Sequence, residues 1–205
     1  MEQTSVLVLG IGNVLWADEG FGVRCVERLH EQWDLGDDVR TMDGGTQGLY
    51  LVPYLTESRR VLVFDAVDFG DPAGTVRVLR DAEVPSSMGS NDLSLHQMGF
   101  QDILAAAELL GATPEALTVV GVQPEMLEDY GGGLTATVAA RLDEAIAIAL
   151  DELRAWGVTP VRRPTRPEPL LDASLRRDAY EDGRPSAEDA CRTGDPRFLP
   201  RAGGE

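Results

Sequence analysis

The first 24 residues carry the feature that most limits the fold, because a buried strand, a glycine turn and a helix follow one another there. Val6–Leu9 is a continuous aliphatic run, which is typical of a strand covered on both faces. Gly10–Asn13 then predicts a sharp turn, since glycine and asparagine tolerate positive φ. Asp18 and Glu19 precede an apolar helical pattern. We therefore expect Asp18 to be the N-cap and both carboxylates to lie near the positive end of a helix.

Gly10 and Gly12 after a first strand also suggest a dinucleotide-binding turn. That fingerprint requires a glycine or alanine three positions after the second glycine, and this chain has Leu15 there. Carboxylates at the start of the helix would also repel a pyrophosphate. A nucleotide-binding α/β module is therefore the less favoured alternative, and it stays open at this stage.

Strand and helix patterns alternate along the first 160 residues. The predicted strands are Val6–Leu9, Val39–Met42, Val61–Phe64, Thr75–Leu79 and Leu117–Val122. The predicted helices are Glu19–Gln32, Gly48–Leu55, Gln97–Leu110 and Thr137–Trp156. This alternation predicts an α/β fold in which helices cover both faces of a mostly parallel sheet. Thr75–Leu79 alternates between apolar and polar residues, so we expect it to be an antiparallel edge strand.

The charge and composition exclude several classes of partner. The formal net charge is −17 at pH 7, and residues 161–205 contribute nine arginines and nine carboxylates, so the acidity belongs to the first 160 residues. This disfavours nucleic acid and anionic membranes as partners, because phosphate binding needs a basic surface. No apolar run is long enough for a membrane span, no signal sequence precedes the first strand, and Cys25 and Cys191 form no spacing motif. We expect a cytoplasmic protein.

The periodic pattern stops beyond Val158. Prolines there are interleaved with arginine, aspartate and glycine, and no apolar period remains. We therefore expect one folded domain at residues 1–160 and a mobile, unstructured tail at residues 161–205.

Polar residues suited to metal binding follow the predicted strands. Glu19 lies just past the first strand, Asp43 and Asp65 end the second and third strands, and His96 lies in a long loop before a helix. In open α/β sheets, ligands bind beyond the carboxyl ends of the strands. Two carboxylates and an imidazole meeting there would form an open site for a divalent ion such as Zn²⁺ or Ni²⁺, with another molecule completing the shell.

Each of these residues also has a purely structural interpretation. Asp65 would cap a turn, Glu19 would stabilise the helix dipole, and a single histidine such as His96 is more often a surface residue. Asp43–Gly45 most simply forms a tight turn. Only the convergence of these residues, which is inferred from topology, favours a functional site.

The same residues resemble the nickel-iron hydrogenase maturation endopeptidases. The motifs that carry the resemblance are, in chain order, Gly10–Asn13, Asp18–Glu19, Gly22–Arg24, Asp43–Thr46, Val61–Ala66, Ser94–Gln97, Leu117–Glu125 and Leu134–Thr135. The resemblance runs from about Val6 to Trp156 and leaves the proline-rich tail outside. It implies a three-layer, phosphorylase/hydrolase-like α/β/α fold with a five-stranded sheet.

The resemblance also implies an activity and the residues that carry it. The family's metal-contacting, catalytic residues fall on Glu19, Asp65 and His96. The implied substrate-binding residues are Asp43, Gly44 and Gly45. Family members remove a short C-terminal extension from the hydrogenase large-subunit precursor after nickel has been inserted. The three residues are thought to recognise that nickel, so no resident cofactor is required, and we expect a monomer.

The motif content agrees with such a protease. The chain contains no Gly-x-Ser-x-Gly nucleophile motif and no His-Glu-x-x-His zinc motif. The scissile carbonyl would then be polarised by the metal of the substrate or attacked by a metal-activated water. A non-catalytic assembly factor that holds the nickel-loaded precursor would need the same three residues, and it remains an alternative.

Overall fold

The computed structural model describes residues 4–84 and 95–181, with the backbone alone described at residues 4, 5 and 95–99. The strands are β1 (Thr4–Ile11), β2 (Trp33–Asp34), β3 (Val39–Gly45), β4 (Ser58–Ala66), β5 (Val76–Arg80), β6 (Ala116–Val122) and β7 (Val161–Arg162). The helices are α1 (Phe21–Gln32), α2 (Val52–Thr56), α3 (Leu95–Leu109), α4 (Ala136–Ala139), α5 (Leu142–Ala155) and α6 (Arg177–Tyr180). Short 3-10 helices cover Ala17–Gly20 and Gly48–Leu51.

Five strands form the central sheet in the order β3-β1-β4-β6-β5. β1 pairs in parallel with β3 and β4, and β4 pairs in parallel with β6. β5 pairs antiparallel to β6 at the edge. The predicted mostly parallel sheet with one antiparallel edge strand is confirmed.

Alternate residues of the central strands fill two hydrophobic layers. In β1, Val6 and Val8 join the cluster formed with α1 and α5, whereas Leu7 and Leu9 join the cluster formed with α2 and α3 on the opposite face. All four side chains are buried, and each contributes roughly 1.5–3 kcal/mol through burial. The predicted three-layer α/β/α arrangement is confirmed. Within the described part of the chain, none of the helices is both long and apolar enough to cross a bilayer.

Glycines allow α1 to start directly on the ends of β1 and β4. A Cβ atom on Gly22 would collide with the carbonyl oxygens of Ile11 and Phe64, and one on Gly10 would collide with the carbonyl oxygen of Gly22. Any larger residue at Gly10 or Gly22 would push the helix away from the sheet. The first turn of α1 is thereby held against the carboxyl edge of two central strands.

The start of the first helix differs from the sequence prediction. The 3-10 turn Ala17–Gly20 precedes α1, and Gly20 occupies the N-cap position without a side-chain hydrogen bond. The prediction that Asp18 is the N-cap is therefore wrong. The reason is that its carboxylate binds backbone groups of a distant loop, as described below. The predicted helix Thr137–Trp156 is divided into α4, which Thr135 caps through its side chain, and α5.

Residues 161–181, here called the C-terminal segment, pack against the domain. β7 pairs antiparallel with β2, and Arg163 Nε donates hydrogen bonds to the carbonyl oxygens of His30 (3.2 Å) and Trp33 (3.0 Å). Leu171 is buried. These contacts do not agree with the expectation of a mobile tail for residues 161–181, because hydrogen bonds to α1 replace the periodic core that the sequence lacks there. Residues 182–205 lie outside the described residues, so for them the tail stays a prediction.

Because α1 packs so closely on the sheet at Gly22, one added methyl group at this position should strongly reduce stability. We expect Gly22→Ala to lower the free energy of unfolding by about 3 kcal/mol or more, because the new Cβ atom meets rigid backbone on two strands. Gly36→Ala is the control, since a Cβ atom there meets nothing within 4 Å and only the backbone at φ +81° is strained, which costs about 1–2 kcal/mol. Urea unfolding of both variants measures the difference. Equal losses in the two variants would contradict the proposed contact.

Candidate active site

The carboxyl ends of β1, β3 and β4 bring three acidic residues to one edge of the sheet. Gly10 of β1 lies opposite Asp43 of β3 on one side and opposite Phe64 of β4 on the other. Since neighbouring strands are about 4.8 Å apart, the backbones of Asp43 and Asp65 lie roughly 10 Å apart across this edge. Glu19 reaches the same edge because its carbonyl group packs on Gly12, where a Cβ atom would overlap it.

Asp65 has the most unusual environment of the three. It is 1% exposed, and no donor among the described residues reaches either carboxylate oxygen with ordinary hydrogen-bond geometry, although the N–H of Ala66 lies nearby. Burial raises the pKa of Asp65 well above its ordinary value, the negative charge of Glu19 raises it further, and the backbone N–H of Ala66 acts in the opposite direction. A cation at this point would provide the charge compensation that the described surroundings do not.

Glu19 is half-buried in the 3-10 turn before α1. Its backbone N–H donates to the carbonyl oxygen of Trp16 at 3.0 Å, which fixes the turn. Its charge acts on Asp65, so the two carboxylates lie close enough to repel each other. Two carboxylates in this relation favour a positively charged ligand over a neutral or anionic one.

Asp43–Gly45 forms the tight turn that its simplest interpretation predicts. Asp43 Oδ1 accepts a hydrogen bond from the N–H of Gly45 at 2.9 Å, and Gly45 has φ +47°. Burial raises the pKa of Asp43, while the Gly45 N–H and the charge of Arg24 lower it. The turn borders a cavity of about 160 Å³.

His96 lies in the first turn of α3, not in the loop before it. The helix begins at Leu95, two residues before the predicted start at Gln97. The side chain of His96 lies outside the described residues, so its approach to Glu19 and Asp65 stays a prediction. Among the side chains that are described, no group of three His, Cys, Asp or Glu residues is arranged to hold a metal ion.

Asp18 is a site residue whose role the sequence analysis missed. Its carboxylate is fully buried and accepts hydrogen bonds from the backbone N–H groups of Glu125, Met126 and Thr135 at 2.7–2.9 Å. The hydroxyl of Thr135 donates a fourth bond at 3.1 Å. Asp18 therefore holds the loop after β6 (residues 123–135) against the turn that carries Glu19. The sequence feature that could have indicated this role is the acidic pair Asp18–Glu19. Neighbouring side chains in a tight turn point in different directions, so only one of the two can face the sheet edge.

Backbone hydrogen bonds extend this attachment on both sides of Asp18. The N–H of Ala17 donates to the carbonyl oxygen of Gly132, and the N–H of Gly131 donates to that of Leu15. Ala17 has φ +39°, a strained value for a residue with a Cβ atom. The strain persists because the loop after β6 fixes the backbone on either side. The position of Glu19 is thus set by a loop more than 100 residues further along the chain.

Arg24 is a second residue that sequence reasoning missed. Its side chain is fully buried and donates from Nη1 to Glu27 at 3.1 Å and to the carbonyl oxygen of Leu175 at 2.7 Å. Nε donates to Glu181 at 2.7 Å. Arg24 therefore joins the first turns of α1 to the C-terminal segment, close enough to Asp43 to lower the pKa of that carboxyl group.

This fold is shared with known proteins. The family model described as hydrogenase maturation protease matches residues 23–152. The chain belongs to this family. The resemblance stated from the sequence motifs is confirmed, and the protein is a hydrogenase maturation endopeptidase.

Relatives of this maturation protease differ in how much of the chain they cover. It is 58% identical to the hydrogenase expression/formation protein HupD of Rhodobacter capsulatus, over 96% of this chain and 94% of that protein. It is 42% identical to the hydrogenase 2 maturation protease of Escherichia coli, over 77% of this chain and 96% of that protein. The solved structure of the E. coli maturating endopeptidase HybD superimposes with a TM-score of 0.74 at 42% identity and covers 78% of this chain and 98% of its own.

Because Asp18 holds the loop at residues 123–135, its removal from the protease should reduce stability and loosen that loop. We expect Asp18→Ala to lower the free energy of unfolding by about 3 kcal/mol or more, because three buried N–H groups lose their acceptor. Amide hydrogen exchange should accelerate in residues 123–135 before it does in the sheet. Asp151→Ala is the control: its exposed ion pair with Arg154 should change stability by no more than about 0.5 kcal/mol. Unchanged exchange in the loop would show that Asp18 does not hold it.

Proposed function

We propose that this protease removes the C-terminal extension of a nickel-iron hydrogenase large-subunit precursor after nickel insertion, and that the nickel carried by the substrate is the recognition element. The observation that carries the proposal is Asp65, a buried carboxylate that no described donor reaches with ordinary hydrogen-bond geometry, next to the negative charge of Glu19. The names of the relatives support the processing of hydrogenase.

In this proposal Glu19, Asp65 and His96 contact the nickel of the substrate. Carboxylate and imidazole groups suit Ni²⁺. The coordination shell of the nickel would be complete only when the precursor is bound to the protease. Since the metal arrives with the precursor, the free protease requires no resident cofactor. The same logic explains why two repelling carboxylates are kept at the sheet edge, because the incoming cation relieves their repulsion.

The proposed hydrolysis requires no side-chain nucleophile. The metal of the substrate would polarise the scissile carbonyl or activate a water molecule for attack on it. Cys25 is unsuited to attack, because it is fully buried in α1 and burial raises the pKa of its thiol well above the ordinary value. The Asp43–Gly45 turn would contact the backbone of the extension. We further propose that the protease acts in the cytoplasm as a monomer.

The first test compares two forms of one substrate. We expect mass spectrometry to detect loss of a C-terminal peptide from a nickel-loaded cognate precursor, and no loss from the same precursor without nickel. The reason is that only the loaded form supplies a cation to the buried carboxylate of Asp65. Cleavage of both forms would refute the recognition role of nickel. Binding without any change in mass would instead favour a non-catalytic assembly factor.

The second test removes one negative charge from the site. We expect Asp65→Asn to lower kcat/KM by about 100-fold or more, because even partners of metal ligands contribute 10–100-fold. The melting temperature should not fall, since a buried amide costs less than a buried carboxylate. Glu115→Gln is the matched control, because Glu115 is an exposed carboxylate paired with Arg59 where β6 begins. Processing by Asp65→Asn that equals that of the control would exclude Asp65 as a ligand.

A further inference from the structure

A small cavity lies beside the proposed metal-binding residues. Its volume is about 160 Å³, close to that of an apolar cavity known to hold one benzene ring. It is lined by Gly12, Asn13, Val14, Leu15, Val23, Asp43, Gly45, Thr46, Leu171 and Leu175. Five of these are aliphatic side chains and one is a carboxylate. Such a lining suits a neutral apolar group and opposes an anionic one.

The C-terminal segment supplies the outer wall of this cavity. Leu171 is 7% exposed and Leu175 is half-buried. Arg24 holds this wall from inside the domain, because it donates to the carbonyl oxygen of Leu175 and to Glu181, each at 2.7 Å. Glu181 in turn packs closely on Gly133. A Cβ atom added to Gly133 would lie 2.7 Å from the side chain of Glu181. The wall is therefore fastened to the helix and to the loop that fix Glu19.

The cavity lies next to the turn that carries Glu19. Gly12 supports the carbonyl group of Glu19 and lines the cavity, and Asp43 lies opposite Gly10 on the same sheet edge. A peptide whose scissile bond lies at Glu19 and Asp65 must therefore pass beside these turns. This continuity favours a side chain of the bound peptide as the occupant of the cavity.

Two relatives of this chain match different shares of it. HupD of R. capsulatus matches 96% of this chain, so the match includes most of residues 161–205. The E. coli hydrogenase 2 maturation protease matches only 77% of this chain although 96% of its own length is covered.

We propose that this cavity is a subsite for one apolar side chain of the precursor near the scissile bond, and that Leu171 and Leu175 determine which side chains it accepts. This inference rests on the proposed function and adds to it a substrate preference.

The test fills the subsite in the full-length chain. We expect Leu175→Trp to raise KM for the nickel-loaded precursor by roughly tenfold or more, the discrimination that one apolar side chain commonly provides, with kcat changed by less than about twofold. Val161→Trp is the matched control, because Val161 belongs to the same segment but is 59% exposed and does not line the cavity. Thermal unfolding of both variants checks that the fold is kept.

A reciprocal change in the substrate identifies the occupant. Each apolar residue within about five positions of the cleaved bond is replaced by alanine in the precursor. One replacement should lower kcat/KM of the wild-type protease by roughly tenfold, and it should cause no further loss in Leu175→Trp, because the two changes remove the same contact. Additive losses at every position would overturn the proposal.

Two further outcomes separate the remaining possibilities. An unchanged KM for a stably folded Leu175→Trp variant would overturn the subsite. A lower KM for Phe198→Ser or Leu199→Ser would show that the chain's own C-terminal residues occupy the cavity, which would also overturn it. If the wild-type chain binds the precursor without cleaving it, the proposed function fails. The subsite is then judged from the dissociation constants of the same variants.

Discussion

The contact of α1 with the carboxyl ends of β1 and β4 is the constraint on which the site depends. Gly10 and Gly22 let the backbones of α1 and the sheet approach to a distance that any side chain would prevent. Gly12 lets the 3-10 turn Ala17–Gly20 pack against the residues that follow β1. As a result Glu19 lies beside Asp65 at the sheet edge. The unfavourable burial of Asp65 is tolerated because two apolar layers stabilise the strands that carry it.

Much of this architecture was predictable from local sequence patterns. Aliphatic runs such as Val61–Phe64 indicate strands covered on both faces, and parallel strands place their carboxyl ends at one edge. That reasoning predicts Asp43 and Asp65 at one edge of the sheet, where the ends of β3 and β4 flank the end of β1. The Thr75–Leu79 alternation likewise predicted the antiparallel edge strand. Local sequence patterns are enough to predict the position of a residue when its own strand or helix determines its surroundings.

The remaining features depend on partners far away along the chain. Asp18 occurs in the same acidic pair as Glu19, yet its four hydrogen-bond donors lie in Glu125, Met126 and Thr135, and no local pattern distinguishes the two carboxylates. The C-terminal segment has no apolar period, so its composition predicts disorder. It is nevertheless held by single long-range contacts, of which the ion pair between Arg24 and Glu181 is the most buried.

The separation of these two partners along the chain also has a consequence during protein synthesis. Arg24 leaves the ribosome early, whereas Glu181 follows 157 residues later. Until then the arginine has no carboxylate from the C-terminal segment, and the outer wall of the cavity does not exist. The sheet and its acidic edge can form first, since domains fold from the N-terminus as they emerge. The cavity beside the sheet edge is thus completed only after Glu181 has been synthesised.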